Sequence, residues 1–188
     1  IMYRLSILLL SVFILLESCN NRGYSPPKNA LFTKLSPSEC GIDFRNDITD
    51  DSIFNEASYR NIYNGGGVAV GDINNDGLPD VFMTANQGKN KLFLNMGNFY
   101  FEDITDKAGI VKEHKWSNGV AMADVNGDGL LDIYVCAAGS IEDDSRRNAL
   151  YINHGDLTFS EEAARYNLVH EGGLFTQAAF FDYDKDGD

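Results

Sequence analysis

DINNDGLPD, residues 72–80, gathers Asp72, Asn74, Asp76 and Asp80 around Gly77. Carboxylates crowded into so short a segment repel one another unless positive charge sits between them. DVNGDGLLD repeats the pattern from Asp124, and DYDKDGD begins it again at Asp182. A single Asp/Asn/Gly-rich turn is commonly just a turn. Three in register argue for a shared purpose.

The spacing names that purpose. Oxygen donors at positions 1, 3 and 5, a backbone carbonyl at 7, a carboxylate at 9 and a glycine at 6 suit a hard divalent cation with six to eight oxygen ligands. Calcium is the expected cofactor. The first loop offers Asp72, Asn74, Asp76, Asp80 and the carbonyl of Leu78; the second offers Asp124, Asn126, Asp128, Asp132 and the carbonyl of Leu130. The third begins with Asp182, Asp184, Asp186 and the carbonyl of Asp188. An EF-hand would need a Glu at position 12 and then a helix. Met83 and Val135 stand there instead, inside strand-like sequence. Magnesium demands tighter octahedral geometry, and zinc prefers the His and Cys that the loops lack.

The acidic loops mark a repeat. Asp72 to Asp124 is 52 residues and Asp124 to Asp182 is 58. The distance from Asn95 of LFLN to Asp124 is 29, as is that from Asn153 of LYIN to Asp182. The six extra residues therefore fall in one hairpin, where ANQGKNK (85–91) becomes AAGSIEDDSRRNA (137–149). Each unit parses into four short strands rich in β-branched and aromatic residues. Strands 67–72, 119–124 and 177–182 precede the loops, and 79–85 and 131–137 follow them. KLFLN (91–95) and ALYIN (149–153) come third, then 98–105 and 156–163, reached through turns at Gly97 and Gly155. Only EEAARYNLVH (161–170) could hold a helical turn or two. Four antiparallel strands per unit of about 50 residues predict an all-β fold, the β-propeller, with about two blades and the start of a third. A β-sandwich or a β-solenoid is the rival. LFTKLSPSECGI (31–42) echoes YFEDITDKAGI (100–110) and is expected to supply an outer strand to the last blade of the ring.

The chain has 188 residues, 44% hydrophobic and 12% aromatic, enough for a packed core. Its formal charge of -13, with 15 Lys and Arg, argues against nucleic acid or an anionic membrane surface as partner. The first residues read as an export signal: Arg4, then apolar LSILLLSVFILL (5–16), then LESC ending at Cys19. Twelve apolar residues span only about 18 Å as helix, short of the ~30 Å hydrocarbon core. LESC resembles the bacterial lipoprotein signal, which implies that Cys19 is the lipidated first mature residue; Glu17 stands where a small residue is usual. The expected organisation is signal 1–19, linker 20–30 and repeats 31–188, within a longer protein. Cys40 and Cys136 are too few for a disulfide framework, and both pairing and free thiols stay open.

GVAVGDINNDGLPDVFMTA followed by NKLFLNMGNFYFEDITDKAGI resembles the FG-GAP or VCBS repeat proteins, with acidic loops similar to those of integrin α-subunit propellers. The likeness is greatest to bacterial members of the cartilage acidic protein and ASPIC/UnbV-associated family. It covers residues 31–188 and implies a propeller, often seven-bladed, with calcium between the first two strands of a blade and a structural or adhesive role. The literal FG and GAP dipeptides are absent. The expected function is a non-enzymatic calcium-binding module, exported as an outer-membrane lipoprotein or extracellular protein. Its partners would be a protein or glycan at the cell surface, and its lipid anchor would be the sole membrane contact. The alternative is a propeller-based lyase, hydrolase or lectin acting on carbohydrate.

Other residues favour plain readings. His114, His154 and His170 show no spacing tied to a carboxylate or thiol. NGGG (64–67) lacks the Lys and Ser/Thr of a phosphate loop and suits close blade packing. Trp116, Tyr63 and Tyr59 read as core or rim, and Arg146 and Arg147 as part of a surface hairpin.

Overall fold

The computed structural model describes residues 29–50, 52, 55–58, 60, 62–110, 116–138, 146–170 and 173–184. The export segment with Cys19, linker residues 20–28, Tyr59, His114, residues 139–145 of the lengthened hairpin, and Asp186 and Asp188 of the third loop lie outside them. Two compact units divide the chain, Ile1–Leu35 and Ser36–Asp188. Residues 29–35 of the first hold neither helix nor strand. The architecture below is that of the second.

Two four-stranded antiparallel sheets, each a meander, follow one another. β1 (Val68–Gly71), β2 (Asp80–Met83), β3 (Lys91–Asn95) and β4 (Phe101–Asp103) form the first; β5 (Ser117–Ala123), β6 (Asp132–Ala137), β7 (Ala149–Asn153) and β8 (Phe159–Glu161) form the second. Gly97 and Gly155 take φ of 85° and 78° in the β3–β4 and β7–β8 turns, as the sequence predicts. Each acidic loop joins the first strand of a sheet to the second, with registers Gly71↔Asp80 and Ala123↔Asp132.

The core shows why the strands read as nearly continuous apolar runs. Ile133, Val135, Ala149 and Tyr151 of the second sheet turn one face to the first, where they join Phe82 and Leu92 in one buried cluster. Tyr134, Cys136, Leu150 and Ile152 alternate onto the opposite face, against Leu168, Val169 and Phe175. Every residue of β6 and β7 is buried. Alternation therefore sorts residues between two interiors rather than between core and water. Each large side chain so buried contributes roughly 1.5–3 kcal/mol.

The sheets meet most closely at β1 and β5, where glycines admit the neighbouring backbone. A Cβ on Gly67 would lie 2.8 Å from the carbonyl oxygen of Asn118, and one on Gly66 would collide with that of Thr84. This is the close packing expected of NGGG. The Thr84 hydroxyl accepts the Gly67 N–H at 2.6 Å and donates to the Asn118 carbonyl, crossing between sheets.

Two expectations are corrected. Residues 177–182 form no strand, although the segment lies beside β5 much as β5 lies beside β1: the Phe175 N–H reaches the Ala137 carbonyl as the Ser117 N–H reaches Ala85, both at 3.3 Å. A strand needs a ladder partner, and no described segment pairs with it. Residues 31–42 hold no strand either, and the last blade of the ring, to which an outer strand is expected to belong, is not among the described residues. A four-residue helix, α1 (Pro37–Cys40), forms there, with Pro37 opening it and Gly41 closing it at φ 76°. The Glu39 carboxylate accepts the N–H and hydroxyl of Ser36 at 2.8 and 2.6 Å. Residues 161–170 hold turns and no helix, and no helix among the described residues is long and apolar enough to cross a membrane.

Cys40 and Cys136 are free thiols. Burial pushes the Cys136 thiol up to about 11, which leaves it protonated and unreactive at neutral pH. Trp116 is buried, while Tyr63 is exposed and donates its hydroxyl to Asp50. Replacing Gly119 with Ala should cost about 1–3 kcal/mol or more, because the new Cβ would meet the Thr176 carbonyl. Gly71→Ala, whose Cβ meets the movable tips of Leu131 and Met122 at 2.6 and 2.9 Å, should cost less. Urea midpoints of the two variants check the order.

Candidate metal centre

Both complete acidic loops repeat one hydrogen-bond pattern. In the first, Asp72 accepts the N–H groups of Asp76 (3.1 Å) and Gly77 (2.7 Å). In the second, Asp124 accepts those of Asp128 (3.1 Å) and Gly129 (2.8 Å), with Gly127 in addition at 2.8 Å. The Asn74 and Asn126 side chains each span their loop, the amide oxygen accepting the N–H at position 5 and the amide nitrogen donating to the carboxylate there. Asp76 and Asp128 also accept the N–H of Leu78 and Leu130 at 2.8 and 2.9 Å. The chain bends twice through left-handed residues, at Asn75 (φ 59°) and Gly77 (86°), then at Gly127 (74°) and Gly129 (85°). Position 6 was legible as a required glycine. Position 4 was not singled out, though Asn and Gly there are the residues that tolerate this conformation.

Position 9 has a second role that spacing does not reveal. Asp80 and Asp132 are buried, at 0% and 1% exposure. Asp80 accepts the Ile73 N–H at 3.0 Å on one oxygen and the Asn95 N–H at 2.7 Å on the other. Asp132 does the same with Val125 and Asn153, at 3.0 and 2.8 Å. One carboxylate thus ties the loop entrance to the second and third strands. Burial, the largest influence, pushes both carboxyls above the usual carboxylate range against the pull of those N–H groups; their loop neighbours Asp72 and Asp76, or Asp124 and Asp128, push them further. Asp124, nearly bare, is held below its usual value, chiefly by the Gly129 N–H.

LFLN and LYIN contribute more than a repeat marker. The Asn153 side chain donates to the carbonyls of Leu131 (3.1 Å) and, across the seam between sheets, Ile73 (2.8 Å). Asn95 donates to Pro79 at 2.9 Å. Asn75 of the first loop donates to the Gly129 carbonyl of the second at 3.0 Å. A shared Asn at the end of both third strands was the available signal for this role.

As placed, no three His, Cys, Asp or Glu side chains among the described residues converge closely enough to grip an ion. The donors are nevertheless of one chemical kind. Each loop carries three carboxylates and an amide oxygen, and among the described residues none of the six carboxylates pairs with Lys or Arg, whose recorded ion pairs lie elsewhere. A carboxylate oxygen that accepts one N–H keeps a lone pair for a second partner. That donor set fits a hard cation. Of the third loop, Asp182 and Asp184 are exposed at the end of the described chain. His154 lines a pocket with Asn126 and Asp128 of the second loop, and His170 lies against the ring of Phe175.

The FG-GAP-like repeat family model matches residues 72–135, from the first acidic loop into β6. Cartilage acidic protein 1 of Mus musculus is 33% identical over 131 residues, 70% of this chain and 20% of that protein. The Xenopus tropicalis protein of the same name is 43% identical over 74 residues, 39% of this chain and 11% of its own length. The Homo sapiens protein is 34% identical over 109 residues, 58% and 16%. The chain therefore spans a fifth or less of these relatives. The repeat match, this kinship and two four-stranded sheets of one build make the chain an FG-GAP repeat protein, its sheets blades of an integrin-α-like β-propeller.

Proposed function

We propose that the two complete loops bind calcium and that the module serves as a metal-stabilised binding or adhesion element of an exported, lipid-anchored surface protein. The observation that carries the calcium reading is the duplicated donor set. Two loops share their oxygen positions, backbone bends and internal hydrogen bonds, and among the described residues no cationic side chain pairs with their carboxylates. Asp72, Asn74, Asp76, the Leu78 carbonyl and Asp80 would hold one ion; Asp124, Asn126, Asp128, the Leu130 carbonyl and Asp132 the other. Asp182, Asp184, Asp186 and the carbonyl of Asp188 would open a third site. When bound, calcium supplies positive charge that offsets carboxylate repulsion, and it stabilises the fold by favouring the folded loop over the unfolded chain.

Anchoring and export rest on residues 1–19, and the surface ligand, protein or glycan, would be met by loops at the blade ends. A related role for the whole protein is a proposal of the same standing, since this chain spans so little of its relatives.

Calcium at a hundred times its Kd should stabilise the protein by about 2.7 kcal/mol per site. Scanning calorimetry should show a melting temperature raised by calcium and lowered by EDTA, with magnesium less effective; a midpoint indifferent to both would remove the calcium reading. Asp76→Asn or Asp128→Asn should shrink the calcium-dependent rise and leave stability in EDTA within about 0.5 kcal/mol, because both positions are exposed. Asp80→Asn and Asp132→Asn should instead cost about 1–3 kcal/mol in EDTA as well, since an amide cannot accept both N–H groups and one buried donor is left unpaired. For the anchor, metabolic labelling with a palmitate analogue should tag the protein and lose the tag in Cys19→Ser.

A further inference from the structure

The two acidic loops differ at position 4, where the first carries Asn75 and the second Gly127. Both residues take the left-handed bend, at φ 59° and 74°. Glycine reaches that conformation without strain, so the bend by itself does not call for a side chain. The amide of Asn75 adds a bond out of its own loop: its nitrogen donates to the Gly129 carbonyl of the second loop at 3.0 Å. That peptide is already held on its other side. The Leu130 N–H, the far end of the same peptide unit, donates to Asp128 at 2.9 Å, and the Gly129 N–H donates to Asp124 at 2.8 Å.

A second link fixes the frame around this bond. Asn153, 2% exposed, donates its side chain to the Ile73 carbonyl at 2.8 Å and to that of Leu131 at 3.1 Å, while its backbone N–H goes to Asp132 at 2.8 Å. One buried asparagine therefore joins the last carboxylate of the second loop to the residue that follows the first carboxylate of the first. The Leu131 side chain stands over Gly71, where a Cβ would lie 2.6 Å from its methyl carbon. Ile73 and Asn75 are positions 2 and 4 of their loop, interleaved with the oxygen donors Asp72, Asn74 and Asp76. The second blade thus holds the first loop at both positions between those donors.

We infer that Asn75 is a positioning residue that couples the two loops, so that ordering the second loop on a cation raises the affinity of the first. The inference rests on the calcium reading for its ligand and on the Asn75–Gly129 bond for the coupling. Ordering of Asp124, Asp128 and Leu130 around a cation fixes the peptide whose oxygen Asn75 holds. Asn75 then stands in place between the donors Asn74 and Asp76, and the first loop loses less freedom when it binds in turn. By linkage the effect is reciprocal, and an ion in the first loop favours the second by the same factor. The net contribution of one neutral hydrogen bond corresponds to about a two- to tenfold change in affinity. Gly127, with no side chain, offers no matching bond onward from the second loop.

Hydrogen exchange of the full-length protein, followed by mass spectrometry on peptides spanning 72–80 and 124–132, reads each loop separately. With calcium as titrant, Asp128→Asn should raise the concentration that half-protects 72–80 by about two- to tenfold, although no donor of that loop is altered. In an Asn75→Gly background, which keeps the bend that Gly127 already makes, the same substitution should leave that concentration nearly unmoved. A 72–80 midpoint indifferent to Asp128→Asn, or shifted equally in both backgrounds, would overturn the inference. A second arm needs no metal: in EDTA, Asn75→Gly should speed exchange in 124–132 by about the same factor, and unchanged exchange there would overturn the coupling too. If calcium protects neither peptide, the calcium reading fails alone and the EDTA arm still decides whether Asn75 joins the loops.

Discussion

The structure turns on a buried carboxylate at the start of the second strand of each blade. Asp80 and Asp132 are at once the last residues of their loops and the first of their strands, paired in register with Gly71 and Ala123. From there each gathers an N–H from the loop entrance and another from the end of the third strand. Three segments of one blade are fixed by one side chain. Burying a charge is costly unless it is hydrogen-bonded, so the site holds only while both donors remain in place. The arrangement makes the loop's acidity structural before it is anything else. The remaining acids, Asp72, Asp76, Asp124 and Asp128, add their repulsion to a carboxylate that already resists ionisation. A module built this way has a standing electrostatic reason to accept a cation at the loop.

Most of the blade was legible because its signals are local and repeated. Alternating β-branched and aromatic residues, punctuated by Gly97 and Gly155, placed all eight strands, with ends that match or differ by up to three residues where the ladder stops. The two distances of 29 residues located the inserted hairpin without any knowledge of the fold. NGGG was correctly read as packing. The parts that escaped depend on contacts between segments. Nothing local in LYIN says that its Asn reaches Ile73, 80 residues earlier. Nothing in DINNDGLPD says that Asp80 is buried beneath Asn95. Residues 31–36 form no strand although β4, which precedes a similar turn at 104–110, does, because no described segment pairs with them. The strand expected at 177–182 failed for the same reason, since its residues suit a strand but pairing is a property of two segments.

The loops also belong to the seam between blades rather than hanging from it. Asn75 of one loop holds the Gly129 carbonyl of the next, and Asn153 bridges Ile73 and Leu131. Through these bonds the backbone of the first loop is positioned by the second sheet as much as by its own. Any ligand that alters the bend at Gly77 or Gly129 therefore acts on the packing of two blades at once. Here, buried and well-connected polar groups such as Asp80, Asp132, Asn153 and Thr84 bond to other parts of the same fold. The buried carboxylate of each loop is thus directed inward, toward holding the strands of its blade, while Asp76, Asp124 and Asp128 stay exposed.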